Sequence, residues 1–260
     1  MVIEKVNTVY QKDYARLYCP AMYDAKKRLI KADKTISVLN DYFSQCNIAY
    51  DGFSVLDIGC SSGFITYRLG EFFKKAVGID IDQEACCYAQ AQASNQKTQF
   101  VLADAMRLSF ADESFDVVVC SHIYEHVPAS EGLLHEIFRV LKQGGVCYFA
   151  GPNKLNLIEP HYKLPLLSLM PKRLAHVVLR LTKGHERYHE NLRFYWGLKR
   201  LCKDFEVVDY TGTVVRDPQK YSLQELLPAS SIKARCARFL LSRAVWLSPT
   251  FIWILKKTKK

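Results

Sequence analysis

Asp57, Asp80 and Asp104 each close a short apolar run, in "VLDIGCSSG", "VGIDID" and "FVLADAM". A carboxylate at the end of such a run can accept from paired hydroxyls, accept from an exocyclic amine, or attract a cation. The loop after Asp57 carries Gly59, Cys60, Ser61 and Gly63, small residues that let the backbone approach a ligand closely. A dinucleotide site would want G-x-G-x-x-G from Gly59, but its second and third glycine positions hold Ser61 and Phe64. An acid at the loop entrance also repels a diphosphate and suits a ligand carrying an ammonium and a sulfonium. A second group lies in "SHIYEHVP", where Ser121 precedes His122, Tyr124, Glu125 and His126. His122 is the preferred general base for a weakly nucleophilic acceptor, with Glu125 and His126 as further catalytic candidates. The same three residues equally suit a purely structural role in shaping a pocket.

These groups need a scaffold that holds strand ends side by side. "FSVLDIG", "AVGIDID", "TQFVLAD", "FDVVVCSH" and "VCYFAGPN" read as short apolar strands. Between them "GFITYRLGEFF", "QEACCYAQAQASN" and "EGLLHEIFRVLKQGG" read as helices, the last stopped by its glycine pair. Apolar strands alternating with helices predict a parallel sheet covered on both faces. Residues 1–50 form an N-terminal helical cap, with Leu29, Ile30, Ile36, Leu39 and Phe43 at roughly helical spacing. The ligand-binding core spans 51–153 and a helical lid insertion 154–190. Residues 191–260 complete the sheet, interrupted by a second insertion at 216–248. "NLRFYWGLKRLCKDF" predicts an amphipathic helix, and "EVVDYTG" and "FIWIL" the last two strands.

The stretches "VLDIGCSSG", "VGIDID", "VLADAMRLSFADESFDVVVCSHIYEHV" and "LLHEIFRVLKQGGVCYF" resemble, in order, the motifs of class I S-adenosylmethionine-dependent methyltransferases with a type-11-like domain. The first matches D-x-G-x-G-x-G except that Ser61 replaces a glycine. The resemblance implies a Rossmann-like, doubly wound α/β fold with a seven-stranded sheet, mostly parallel, whose last strand runs antiparallel. It implies S-adenosyl-L-methionine as cofactor, with Asp80 on the ribose hydroxyls and Asp104 beside the adenine amino group. The full expected cofactor set is Asp57, Gly59, Cys60, Ser61, Gly63, Asp80, Ile81, Asp104, Ala105 and Ser121. The sequence lacks the N-P-P-Y or D-P-P-Y motif of amino-group methylation after the fourth strand, which favours an oxygen or carbon acceptor. A catalytically silent cofactor-binding scaffold is the alternative from another class.

Nine cysteines without a CxxC spacing, and no signal-peptide core, predict reduced thiols, a cytoplasmic protein and no metal site. The net charge of +10 is uneven: residues 1–153 hold 15 Lys and Arg against 18 Asp and Glu, and residues 154–260 hold 21 against 8. Such a surplus suits an anionic partner. In 161–183, Leu164, Leu166, Leu167, Leu169, Leu174, Val177, Val178, Leu179 and Leu181 alternate with Lys172, Arg173, Arg180 and Lys183. That pattern reads either as peripheral contact with anionic lipid or as a lid packed on the protein itself. His161, Tyr162, His185 and His189 lie in or beside this lid. "EPHYKLPLLSLMP" and "SPTFIWILKK" resemble bacterial methyltransferases of cell-envelope glycan functions. The expected acceptor is therefore a small molecule or a lipid-linked glycan. RNA is less favoured, although Phe194, Tyr195 and Trp196 suit either base stacking or the core.

Overall fold

The computed structural model describes residues 23–93, 96–184 and 187–258. The predicted helical stretch before residue 23, and His185, lie outside them. The chain runs α1 (Ala25–Gln45), β1 (Ser54–Ile58), α2 (Phe64–Phe72), β2 (Lys75–Asp80), α3 (Gln83–Ala91), β3 (Thr98–Leu102), β4 (Phe115–Ser121), α4 (Ser130–Val140) and β5 (Leu141–Pro152). It continues through α5 (Lys172–Lys183), α6 (Tyr195–Leu201), β6 (Glu206–Asp209), α7 (Thr211–Arg216), α8 (Ile232–Arg243) and β7 (Thr250–Lys256). Seven strands form one sheet in the order β3-β2-β1-β4-β5-β7-β6. Strands β1 to β5 pair in parallel, and β7 runs antiparallel to both β5 and β6. This is the predicted Rossmann-like topology.

The apolar runs form strands because both faces of the sheet are covered. Leu56, Ile58, Val118 and Cys120 point into one core with α4 and α6, whereas Val55, Val117 and Val119 point into a second core under α1 and α2. The outer helices are amphipathic accordingly. In α4, Leu133, Leu134, Ile137 and Val140 are buried at helical spacing.

Three local predictions need correction. Helix α4 stops at Val140, before the glycine pair, because Leu141 is already extended and pairs with Phe115. The register shifts between Phe115 and Val117, so Gly144 (φ +75°) and Gly145 take up slack inside a strand. In α1 the buried face is Ala32, Ile36, Val38, Leu39 and Phe43, with Arg28 one turn earlier, whereas Leu29 is exposed. Tyr195 packs on Phe251 and Trp253, but Phe194 and Trp196 are exposed.

The insertions share one origin. The first leaves β5 at its carboxyl end and the second enters β7 opposite it, Pro152 pairing with Thr250. Asn153, fully buried, pins them together by donating from Nδ2 to the carbonyls of Trp246 (2.8 Å) and Ser248 (2.9 Å). Both therefore rise from the carboxyl edge of the sheet, where open α/β sheets bind their ligands.

Candidate active site

The loop from Gly59 to Gly63 is tied to the neighbouring strand through backbone. Gly59 N and Cys60 N both donate to Ile79 O at 2.8 and 2.9 Å, and Gly63 N donates to Cys60 O at 2.9 Å. Gly59 and Gly63 have φ of +72° and +81°, and a side chain at Gly63 would collide with Ala89 and Phe100 at 2.8 Å. Ser61 holds φ +48°, so the residue that departs from the family glycine keeps the glycine-like backbone. Its N–H donates to Asp80 Oδ2 at 2.8 Å, and Asp82 N donates to Asp80 Oδ1 at 2.9 Å. Asp80 thus clamps the loop while each oxygen keeps a further lone pair for a ligand. Burial raises its carboxyl above the ordinary range against the pull of those amides.

Asp57 is buried at the end of β1 and accepts from Thr66 Oγ1 at 2.6 Å. Burial pushes its carboxyl up to about 6, opposed by that hydrogen bond and by the charge of Arg28. Asp104 follows β3, accepting from Met106 N at 2.8 Å, and its segment is joined to β2 by Ala103 N donating to Asp80 O at 2.9 Å. Ile81, Ala105 and Ser121 are half-buried beside these strand ends. The Cys60 side chain is fully buried and its N–H is spent on Ile79, so its small size shapes the loop.

His122, Glu125 and His126 come together after β4. His122 has φ +61° and donates its backbone N–H to Ala150 O at 2.7 Å. Glu125 Oε1 lies 3.6 Å from His122 Nδ1 and 3.8 Å from His126 Nε2, beyond hydrogen-bond range. Burial lowers the basicity of His122, and the charges of Lys31 and Lys34 act in the same direction. Burial pushes His126 down to about 4 and Lys34 down to about 8. Helix α1 thus contributes Arg28, Lys31 and Lys34 to the electrostatics of the site, residues that the apolar pattern of the sequence did not single out. Their spacing of three along α1 was the available signal.

From the lid, His161 stacks edge-on against His126 at 4.9 Å. Asn191 N donates to Glu125 O at 2.7 Å, which docks the end of the lid on the segment after β4. Beside it a cavity of about 230 Å³ is lined by Lys154, Lys172, Tyr188, Glu190, Asn191 and Arg193, among others. His189 is a neighbour of Glu190 in sequence and does not line that cavity.

The fit to S-adenosylmethionine rests on this geometry. Three acids end three adjacent strands, and among the described residues the buried Ser61 hydroxyl has no hydrogen-bond partner. Polar ligand groups would satisfy both.

A family model described as a methyltransferase domain matches residues 56–149. The sterol 24-C-methyltransferase of Aspergillus fumigatus is 38% identical over 101 residues, which is 37% of this chain and 27% of that protein. A ubiquinone biosynthesis O-methyltransferase of Alkalilimnicola ehrlichii is 28% identical over 141 residues, 51% of this chain and 56% of its own length. The chain therefore spans between about a quarter and somewhat over half of these curated relatives. The PH0226 protein of Pyrococcus horikoshii shares the fold at TM-score 0.63 and 17% identity, covering 95% of this chain and 99% of that one. Motif, topology and family match converge on residues 56–149, which are similar to the methyltransferase domain of class I S-adenosylmethionine-dependent enzymes, a domain whose cofactor is S-adenosylmethionine.

Proposed function

We propose that this protein transfers a methyl group from S-adenosylmethionine to an oxygen or carbon of a small, anionic, lipid-linked acceptor. The observation that carries the reading is the row of Asp57, Asp80 and Asp104 on adjacent strand ends, beside His122, Glu125 and His126 on the next. S-adenosylmethionine, when bound, supplies a methyl carbon activated by its sulfonium. The protein's share is then to hold two partners in line and exclude water, which lowers a barrier by several kcal/mol. Asp80 would hold the ribose and Asp104 the adenine. The Ser61 hydroxyl would hold the amino-acid end, with Asp57 supplying negative charge. His122 has its basicity lowered, so its imidazole is neutral at pH 7 and able to take a proton from an acceptor hydroxyl.

The anionic acceptor is supported by the lid cavity, whose lining includes Lys154, Lys172 and Arg193. The lipid link is supported by exposed Leu174, Val177 and Leu181 on α5, a helix that also bears Arg173, Arg180 and Lys183. The sterol and quinone acceptors named for the relatives are themselves apolar. Calorimetry with S-adenosylmethionine should show binding that Asp80→Asn weakens at least tenfold. Labelled methyl should then enter a solvent-extractable lipid fraction. Label recovered only in RNA, lost with ribonuclease, would replace the acceptor assignment.

A further inference from the structure

We propose that Glu125, His126 and His161 form a binding site for a divalent transition-metal ion, poised where the lid meets the end of β4. One donor atom from each lies within 4.8 Å of the others, although His161 is far from the pair in sequence. Tetrahedral coordination by nitrogen and oxygen brings donors about 3.4 Å apart, a contraction that small side-chain rotations supply.

Two further observations point to a cation. Glu125 is fully buried, and among the described residues neither of its carboxylate oxygens has a hydrogen-bond partner. Glu190, from the end of the lid, is 1% exposed, and among the described residues both of its oxygens are equally unsatisfied, with its carboxyl feeling the charge of His161. Buried carboxylates left in this way are stabilised by a positive ion. The second observation is the orientation of His161. Its Nδ1 lies 2.8 Å from Glu159 Oε1, while Glu159 Oε2 accepts from His161 N and Tyr162 N at 2.7 and 2.6 Å. A carboxylate that fixes one imidazole nitrogen and turns the other toward the ion is the usual support of a metal-bound histidine.

The donor set selects the ion. Two imidazoles and a carboxylate suit zinc, iron, cobalt or manganese better than magnesium or calcium. Glu190 lies outside the three-donor cluster and would act on the ion through its charge alone. Cysteine spacing predicts no metal, whereas these donors come from a strand end and a lid that only the fold brings together. An open coordination position would take an oxygen of the acceptor. That role rests on the methyltransferase reading, whereas the site itself does not.

The test is titration of the full chain, stripped with EDTA, with cobalt chloride alone, followed by visible absorption and calorimetry. One equivalent should bind with ligand-field bands and without thiolate-to-cobalt charge transfer. His161→Ala should weaken binding at least tenfold, as should Glu125→Gln. His161 is 17% exposed and belongs to the first insertion, away from the strand-end acids, so His161→Ala should keep S-adenosylmethionine affinity within twofold even where it lowers the melting temperature. Absence of stoichiometric binding overturns the proposal. So does binding that His161→Ala leaves unchanged, or a thiolate band in the wild-type spectrum. Loss of S-adenosylmethionine affinity in the wild type would instead strike the methyltransferase reading and leave the cobalt result standing.

Discussion

Asp57 sits almost out of water at the end of β1, with Thr66 Oγ1 2.6 Å from its Oδ2. Burial raises its carboxyl from 3.8 to about 6. An acid whose folded pKa exceeds its unfolded value favours the fold while protonated and costs stability as pH rises between the two values. By pH 7 the cost approaches about 3 kcal/mol, since each tenfold change in proton affinity is worth about 1.4 kcal/mol. Asp57→Asn keeps an acceptor for Thr66 and removes the charge. It should therefore raise the unfolding free energy of the ligand-free protein at pH 7 by up to that amount, with little effect at pH 4. Denaturant titration at both pH values checks the sign. Cofactor affinity should move the other way. Between pH 5 and 6 the wild type gains negative charge at the loop, so its affinity for the cationic nucleoside should rise by up to about tenfold. The Asn variant should bind weakly with a flat profile over that range.

At the scale of elements, α1 works at both ends. Near its start, Arg28 takes a place on the buried face four residues before Ala32 and eight before Ile36. Its charge holds the Asp57 carboxyl lower than burial alone would. Arg28→Met should thus shift the midpoint of the pH–affinity profile upward from about 6, a direction that a merely structural role for Arg28 does not require. Near its end, Asp41 anchors the second insertion, accepting from Tyr221 Oη at 2.9 Å and from Lys220 Nζ. Asp41→Ala leaves the buried Tyr221 hydroxyl without this acceptor and should cost about 2–3 kcal/mol of stability. A wild-type melting temperature in that variant would refute the anchor. The sheet was legible because apolar runs such as "FDVVVC" leave little choice of face, and the strand-end acids came with it. Arg28, Lys31 and Lys34 were not legible, since a charge on a helix reads as solvated until the packing of that helix is known. Nor was the meeting of His161 with His126, which depends on how a proline-rich lid folds back. The end of α4 was misread because the glycine pair looks like a helix stop, while pairing with Phe115 claimed Leu141 first.

At the scale of the molecule, the basic surplus of residues 154–260 and the carboxyl edge of the sheet coincide, because both insertions leave the sheet there. The lid makes a small core of its own from Leu167, Ala175, Leu179 and Tyr188, which satisfies only one side of α5. Leu174, Val177 and Leu181 on the same helix face water, with Leu181 80% exposed. Helix α8 repeats the arrangement: Ile232, Phe239 and Leu240 are exposed on a helix carrying Lys233, Arg235, Arg238 and Arg243. Among the described residues no helix is long and apolar enough to cross a membrane. Apolar side chains interleaved with cations, on the edge that holds the site, match the boundary of an anionic bilayer, where each shallowly buried side chain and each Lys or Arg near the surface adds about 1 kcal/mol. The protein should float with vesicles containing phosphatidylglycerol and not with phosphatidylcholine alone. Leu181→Glu and Phe239→Glu together should abolish flotation while S-adenosylmethionine affinity is unchanged, since neither residue touches the strand-end acids. Raising salt should weaken the wild type only partly, because the apolar share of the contact is not screened. Complete loss of flotation with salt, accompanied by RNA binding of steep salt dependence, would show that the basic surface serves a nucleic acid instead.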